Sequence, residues 1–201
     1  MEIIVILGRV VFASFANVLQ KKLAHQGHHP LFIVMASYAL LFLISLPILV
    51  ALPVAHLSDY FWLNIVLAAS LDMAGTLFLV FSLSKTDLSI FGPLNAYKIV
   101  ISMLLAMLFL NEVPSSQGFL GISIIIIGSF FLMRSTTKKT KHQSLLLLFT
   151  IRGVQYRFLS ILLFSIGTLP LKNAVMEGEA LTTTIIWCLI GFPIAILSYI
   201  V

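Results

Sequence analysis

Long apolar runs separated by short polar turns organise the chain. The clearest case is residues 88–133: LSIFGPLNAYKIVISMLLAMLFL, the acidic, proline-containing turn NEVPSSQ, then GFLGISIIIIGSFFLM. A helix rising 1.5 Å per residue needs about 20 apolar residues to cross a hydrocarbon layer of roughly 30 Å. A water-soluble domain has no means of covering two such runs side by side. The same pattern predicts spans at Ile3–Leu19, Leu31–Leu52, Tyr60–Leu83, Leu88–Leu110, Gly118–Met133, Phe158–Val175 and Leu181–Val201, with almost no strand. Tyr60, Phe61 and Trp62 open the third span, where interfacial aromatics are expected. Pro47 and Pro170 fall inside spans, a placement that membrane helices tolerate. The expected fold is all-α, a polytopic transmembrane helix bundle.

Composition strengthens this reading. Of the 201 residues, 60% are hydrophobic and 9% charged, against about 25% charged in soluble domains. The first residues lack a basic stretch followed by a small-residue cleavage site, so they read as a retained helix rather than a signal peptide. Cys188 is the only cysteine, so no disulfide forms within the chain. The one different region is Arg134–Arg157, rich in Lys, Thr and Ser; its inner run SLLLLF is too short to cross a bilayer and suits the interface.

Charge sorts by loop. If seven helices alternate, Lys21, Lys22, Lys85, Arg134, Lys138, Lys139, Lys141, Arg152 and Arg157 fall on one side. Glu2, Asp59, Glu112, Glu177 and Glu179 fall on the other. By the positive-inside rule the 134–157 connector is cytoplasmic and the N-terminus outside. The connector either anchors topology or also binds anionic headgroups.

The chain also repeats itself. FASFANVLQKKLAHQG leading to LLFLISLPILV is echoed by LLFSIGTLPLKNAVMEG leading to IIWCLIGFPIAIL. Each copy ends a helix in lysine, continues through a Gly-containing polar loop, and places a proline in the next helix. The second copy starts after five spans, an odd number, so it enters the membrane upside down relative to the first. Inverted repeats meeting at the midplane are a transporter architecture.

Asp72 and Lys98 stand near the middles of the third and fourth spans, at equal depth if the two form an antiparallel hairpin. A charge there costs on the order of 2.5–3.5 kcal/mol on insertion scales, so each needs a partner or a watery cavity. Helical spacing puts Asn95, Lys98 and Ser102 on one face, and Ala68, Asp72 and Thr76 on another. Two readings follow: a substrate pathway in which Lys98 attracts an anionic group and Asp72 a cation or proton, or a structural ion pair between helices. Arg9 shares a stripe with Ala13, Asn17 and Gln20 and either faces the same interior or snorkels to the interface. Tyr38, Tyr97 and Trp187 either stack on a substrate or pack the bundle. His25, His28 and His29 have ligand-like spacing, but no carboxylate or thiolate accompanies them, and a solvated loop is expected rather than a metal site. No nucleophile–base pairing, zinc motif, phosphate-cradling loop or dinucleotide fingerprint occurs. No enzyme activity, cofactor, metal or nucleic-acid partner is therefore expected.

The segment LSIFGPLNAYKIVISMLLAMLFLNEVPSSQGFLGISIIIIGSFFL resembles the end of an EamA domain of the drug/metabolite transporter superfamily. The matching positions are Leu110, Glu112, Pro114, Gln117, Gly118, Gly121 and Gly128. The resemblance implies one complete five-helix unit over residues 1–133, the basic connector 134–157, and the first two helices of an inverted second unit over 158–201. Within the motif, Glu112, Gln117 and Gly121 read as structural, with Glu112 helping to start the next helix. The resemblance further implies a secondary transporter of small metabolites or drug-like compounds, working by alternating access in the plasma (inner) membrane. Its substrate pathway would include Asp72, Lys98, Asn95, Ser102, Asn17 and Arg9. The second unit lacks its last three helices, so the alternative is a truncated, inactive remnant or one part of a split assembly. The expected partners are the lipid bilayer, a small-molecule substrate, and a second copy or a protein supplying the missing helices. Family members are commonly drawn with a cytoplasmic N-terminus, opposite to the charge bias.

Overall fold

The polar punctuation sets the helix ends. Ser58 Oγ accepts from the Phe61 N–H at 3.1 Å and caps the third helix; Ser115 Oγ accepts from the Gly118 N–H at 3.2 Å and caps the fifth. Such caps satisfy the free N–H groups of a first turn. Pro30 occupies the first position of the second helix, where its missing N–H costs nothing. Gly27, with φ +91°, turns the chain after the first helix. A single residue, Glu179 (φ +59°), separates the last two helices.

In a computed structural model, residues 2–50, 52, 56–86, 88–111, 113–139 and 150–200 are described. Seven helices cover them: α1 Glu2–His25, α2 Pro30–Leu49, α3 Asp59–Lys85, α4 Leu88–Leu110, α5 Ser116–Lys139, α6 Arg152–Gly178 and α7 Ala180–Ile200. Among the described residues, α2, α3, α6 and α7 are long and apolar enough to cross a membrane by length and composition. The fold is an all-α transmembrane bundle.

Helix α1 runs past Leu19 to His25, and two further ends also differ from the sequence expectation. Helix α5 continues past Met133 to Lys139, and α6 begins at Arg152 rather than Phe158. Loss of apolarity marks where lipid ends, not where hydrogen bonding ends, so Lys, Thr and Arg extend both helices. The connector is correspondingly shorter, and Arg157 belongs to a helix instead of a loop. The run SLLLLF and Glu112 lie outside the described residues.

Helix α6 is the central element. It runs antiparallel to α3 over nearly the full length of both, with Phe61 against Gly178, Asp72 beside Gly167, Phe164 on Gly75, and Thr86 at Gly153. A Cβ at Gly75 would stand 3.0 Å from the Phe164 ring, so only glycine lets the ring lie this close. Lipid is as apolar as any core, so membrane helices associate through small residues and close packing. The α3–α6 seam follows that rule. Helix α7 lies antiparallel to α2, with Tyr38 on Gly191 and the Phe32 and Tyr199 ring centroids 6.4 Å apart. Helix α4 runs parallel to α6 on its other flank, with Asn95 at Arg157 and Ser102 at Ser165. Helix α1 touches α3 at its end, where Lys21 Nζ donates to the Thr86 carbonyl at 3.1 Å.

These contacts sort charge to opposite ends of the bundle. Lys21, Thr86, Lys85 and Arg152 gather at one end. At the other, Ser58 Oγ donates to Glu177 Oε2 at 2.7 Å, close to Asp59 and Glu179.

Candidate functional site

The polar stripes of α3 and α4 both turn toward α6, which stands between them. α3 and α4 barely touch, so the direct hairpin that would pair Asp72 with Lys98 is replaced by an arrangement in which α6 carries both. Lys98 holds its ammonium 4.3 Å from the centroid of the Phe164 ring. Desolvated cation–π contacts of this kind are worth about 2 kcal/mol. Asp72 sits against α6 at Gly167, where an added Cβ would lie 3.3 Å from its Oδ1. Among the described residues no ion pair closes between Asp72 and Lys98, yet each is within electrostatic reach of the other. Both side chains are half-buried, one on each flank of α6.

A polar wall surrounds Asp72. The Trp187 indole N–H from α7 lies beside its carboxylate, and the Tyr38 hydroxyl from α2 lies beside Thr76, one turn further along α3. Neither Trp187 Nε1 nor Tyr38 Oη completes a hydrogen bond of normal geometry. The two rings touch, with centroids 5.8 Å apart. Four helices thus bring Asp72, Thr76, Tyr38, Trp187 and Lys98 into one neighbourhood.

The charged residue that sequence reasoning missed is Arg157. It is 1% exposed. Its Nη1 donates to Ser160 Oγ at 3.3 Å, its Nη2 donates to Asn95 Oδ1, and its guanidinium lies 4.2 Å from the Phe91 ring centroid. Nε has no partner. Ser102 Oγ donates to Ser165 Oγ at 3.1 Å, and Ser165 also reaches the Lys98 carbonyl at 3.4 Å. The signal for Arg157 was present: Gly153, Arg157, Ser160, Phe164 and Gly167 fall at helical spacing. Only the assumption that α6 began at Phe158 hid it.

The other candidates are more scattered. Arg9 is exposed on α1 but acts electrostatically on Lys98, and Asn17 is half-buried on the same helix. Gln117 is exposed at the start of α5, and a side chain at Gly121 would meet nothing within 4 Å, so packing does not demand glycine there. His29 caps α2 through Nδ1, 3.4 Å from the Leu31 N–H, and His25 and His28 are exposed beside it. Tyr97 packs near Leu94 and Val154. A recess of about 470 Å³ lined by Met103, Ala106, Val113 and Pro114 opens between α4 and α5. Its lining holds none of the charged residues.

Helices of membrane-spanning length around an interior that carries charge make this a polytopic integral membrane protein. The EamA-like transporter family profile matches residues 1–134, and the chain belongs to that family, whose members are membrane transporters of the drug/metabolite type. No curated protein and no solved structure matches the chain.

Proposed function

We propose that the protein is a secondary transporter of small metabolites or drug-like compounds, working by alternating access in the plasma (inner) membrane. The observation that carries this reading is that Asp72 and Lys98, half-buried in the spans and within electrostatic reach of each other, close no ion pair among the described residues. Intramembrane charges that face an interior rather than pairing mark substrate or proton pathways. In this reading Asp72, Lys98, Asn95 and Ser102 line the path along α6, with Asn17 and Arg9 at its α1 side. Asp72 is the protonatable group, and Lys98, Tyr38 and Trp187 are the groups that face it.

Helix directions support inverted units. α1 runs parallel to α3 while α6 runs antiparallel to it, so α1 and α6 point oppositely, as do α2 and α7. These directions are the ones expected if the repeated segments form inverted units, the relation that alternating access uses. The end holding Lys21, Lys85 and Arg152 is the cytoplasmic one by the positive-inside rule.

Uptake by proteoliposomes under an imposed pH gradient tests the assignment. The wild-type chain is expected to show proton-dependent flux of small polar compounds, and Asp72→Asn to lose that pH dependence. Unchanged pH dependence in a folded Asp72→Asn protein removes the proton role. The absence of flux for every compound class removes the transport reading in favour of a non-transporting member of an assembly.

A further inference from the structure

We infer that the space between α4 and α6 binds an oxyanion, the carboxylate or phosphate group of a small molecule, held by Arg157 and Lys98. This deepens the transport reading by naming the substrate's chemical class. It starts from an imbalance of charge. Lys98 lies within electrostatic reach of Arg157 and Arg9 as well as Asp72, so among the described residues these cations share one carboxylate. Asp72 sits by Gly167, roughly 15 Å along α6 from Arg157. Asp59, Glu177 and Glu179 belong to the far end of the bundle. Among the described residues, Arg157 has no carboxylate in ion-pair range; its contacts are Asn95, Ser160 and the Phe91 ring.

A cation buried without a counterion is strongly disfavoured. Neutral acceptors and an aromatic face recover part of that but cancel no charge, and Arg157 Nε is left with no acceptor at all. The surroundings supply what an oxyanion needs. The guanidinium is a planar fork of donors suited to carboxylate and phosphate. Lys98 follows Asn95 by one turn of α4, about 4.5 Å along the axis, and its ammonium is within electrostatic reach of the guanidinium. The Ser102 and Ser165 hydroxyls meet across the same pair of helices. Asn95 is exposed, which leaves the Arg157 end of the site open to entry. The oxyanion can belong to a soluble compound or to a phospholipid headgroup.

The test is equilibrium binding to the full chain in nanodiscs of zwitterionic lipid, with inorganic phosphate and glutarate as probes against neutral glutaramide. Phosphate or glutarate is expected to bind and raise the melting temperature, and glutaramide to do neither. Arg157→Gln and Lys98→Gln are each expected to weaken anion binding at least tenfold. Arg157→Lys should fall between, because it keeps the charge and loses the fork, and Lys22→Gln at the exposed basic end should bind as wild type. Failure of both anions to bind overturns the inference. So does equal binding of glutarate and glutaramide, or wild-type affinity in folded Arg157→Gln and Lys98→Gln proteins. Adding phosphatidylglycerol to the discs sorts the source: weakened binding of the soluble anion identifies the headgroup as occupant, and unchanged binding identifies a soluble compound. Anion binding without flux overturns the transport reading alone. Flux of neutral or cationic compounds without anion binding overturns this inference alone.

Discussion

Helices α1 and α6 begin the two copies of the sequence repeat, yet they meet their surroundings in opposite ways. Helix α6 buries Gly153, Val154, Arg157, Ser160, Ile161, Ser165, Gly167, Ala174 and Gly178. Helix α1 buries none of its described side chains and exposes Ile4, Val11, Phe12 and Phe15. The buried set is mostly small or polar, and the exposed set is large and apolar. Bilayer and protein interior are equally welcoming to a leucine, so hydrophobicity does not choose the inward face. Glycine and serine, which let backbones approach, choose it.

The largest expected effect of this contrast is on packing. Gly178 of α6 lies on the fully buried Phe61 ring, so Gly178→Ala forces that ring and its neighbours to shift. Overpacking of this kind costs about 1–3 kcal/mol. Gly8 of α1 has nothing within 4 Å of a would-be Cβ. Gly8→Ala should therefore be neutral or gain up to about 1 kcal/mol of helix propensity. Thermal unfolding in mild detergent distinguishes the two; equal melting temperatures would show that the α3–α6 seam is not what holds the bundle.

The next effect separates stability from function. Arg157 and Arg9 stand within two positions of each other when Lys22 and Lys172 are superposed, but one is buried and the other exposed. Replacing buried ionic groups with apolar residues of similar volume is neutral or stabilising by about 1–4 kcal/mol. Arg157→Met should accordingly melt no lower than wild type while losing flux, the pattern of a residue kept at a cost to stability. Arg9→Met should leave melting unchanged and reduce flux less. A lower melting temperature for Arg157→Met with flux retained would make Arg157 a clamp between α4 and α6 instead.

Much of the architecture was legible before any coordinates. The apolar runs locate every described helix, and the stripes Ala68–Asp72–Thr76 and Asn95–Lys98–Ser102 identify faces that turn to a common neighbour. What the runs do not encode is adjacency. Asp72 and Lys98 were matched through the short turn joining α3 and α4, but the glycines of α3 and α6 let those two helices close on each other, and α6 displaces α4 from α3. Nor does apolarity mark helix ends. Arg157 reads as a loop residue beside Arg152 until one more turn is added to α6, and then its stripe with Ser160 and Gly167 is plain. In the sequence Tyr38 and Trp187 read either as substrate-stacking or as packing aromatics; only the meeting of α2 and α7 puts their polar atoms at Thr76 and Asp72.

The smallest expected effect decides whether the hydroxyls between α4 and α6 hold helices together or serve a ligand. Ser165 Oγ accepts from Ser102 Oγ at 3.1 Å and reaches the Lys98 carbonyl at 3.4 Å, so Ser165→Ala removes a link between helices. Side-chain hydrogen bonds between membrane helices average about 0.6 kcal/mol, a shift of melting temperature near the limit of detection. Ser123→Ala on α5 is the matched control, because its hydroxyl bonds only to the Phe119 carbonyl of its own helix. If Ser165 is only a fastener, both variants bind glutarate as wild type does and differ slightly in melting. If the hydroxyl contacts the anion, Ser165→Ala weakens glutarate severalfold with that same small loss of stability, and Ser102→Ala does likewise. Affinity and melting then part company at Ser165 as they do at Arg157, which would extend the anion's contacts from the guanidinium to the middle of α6.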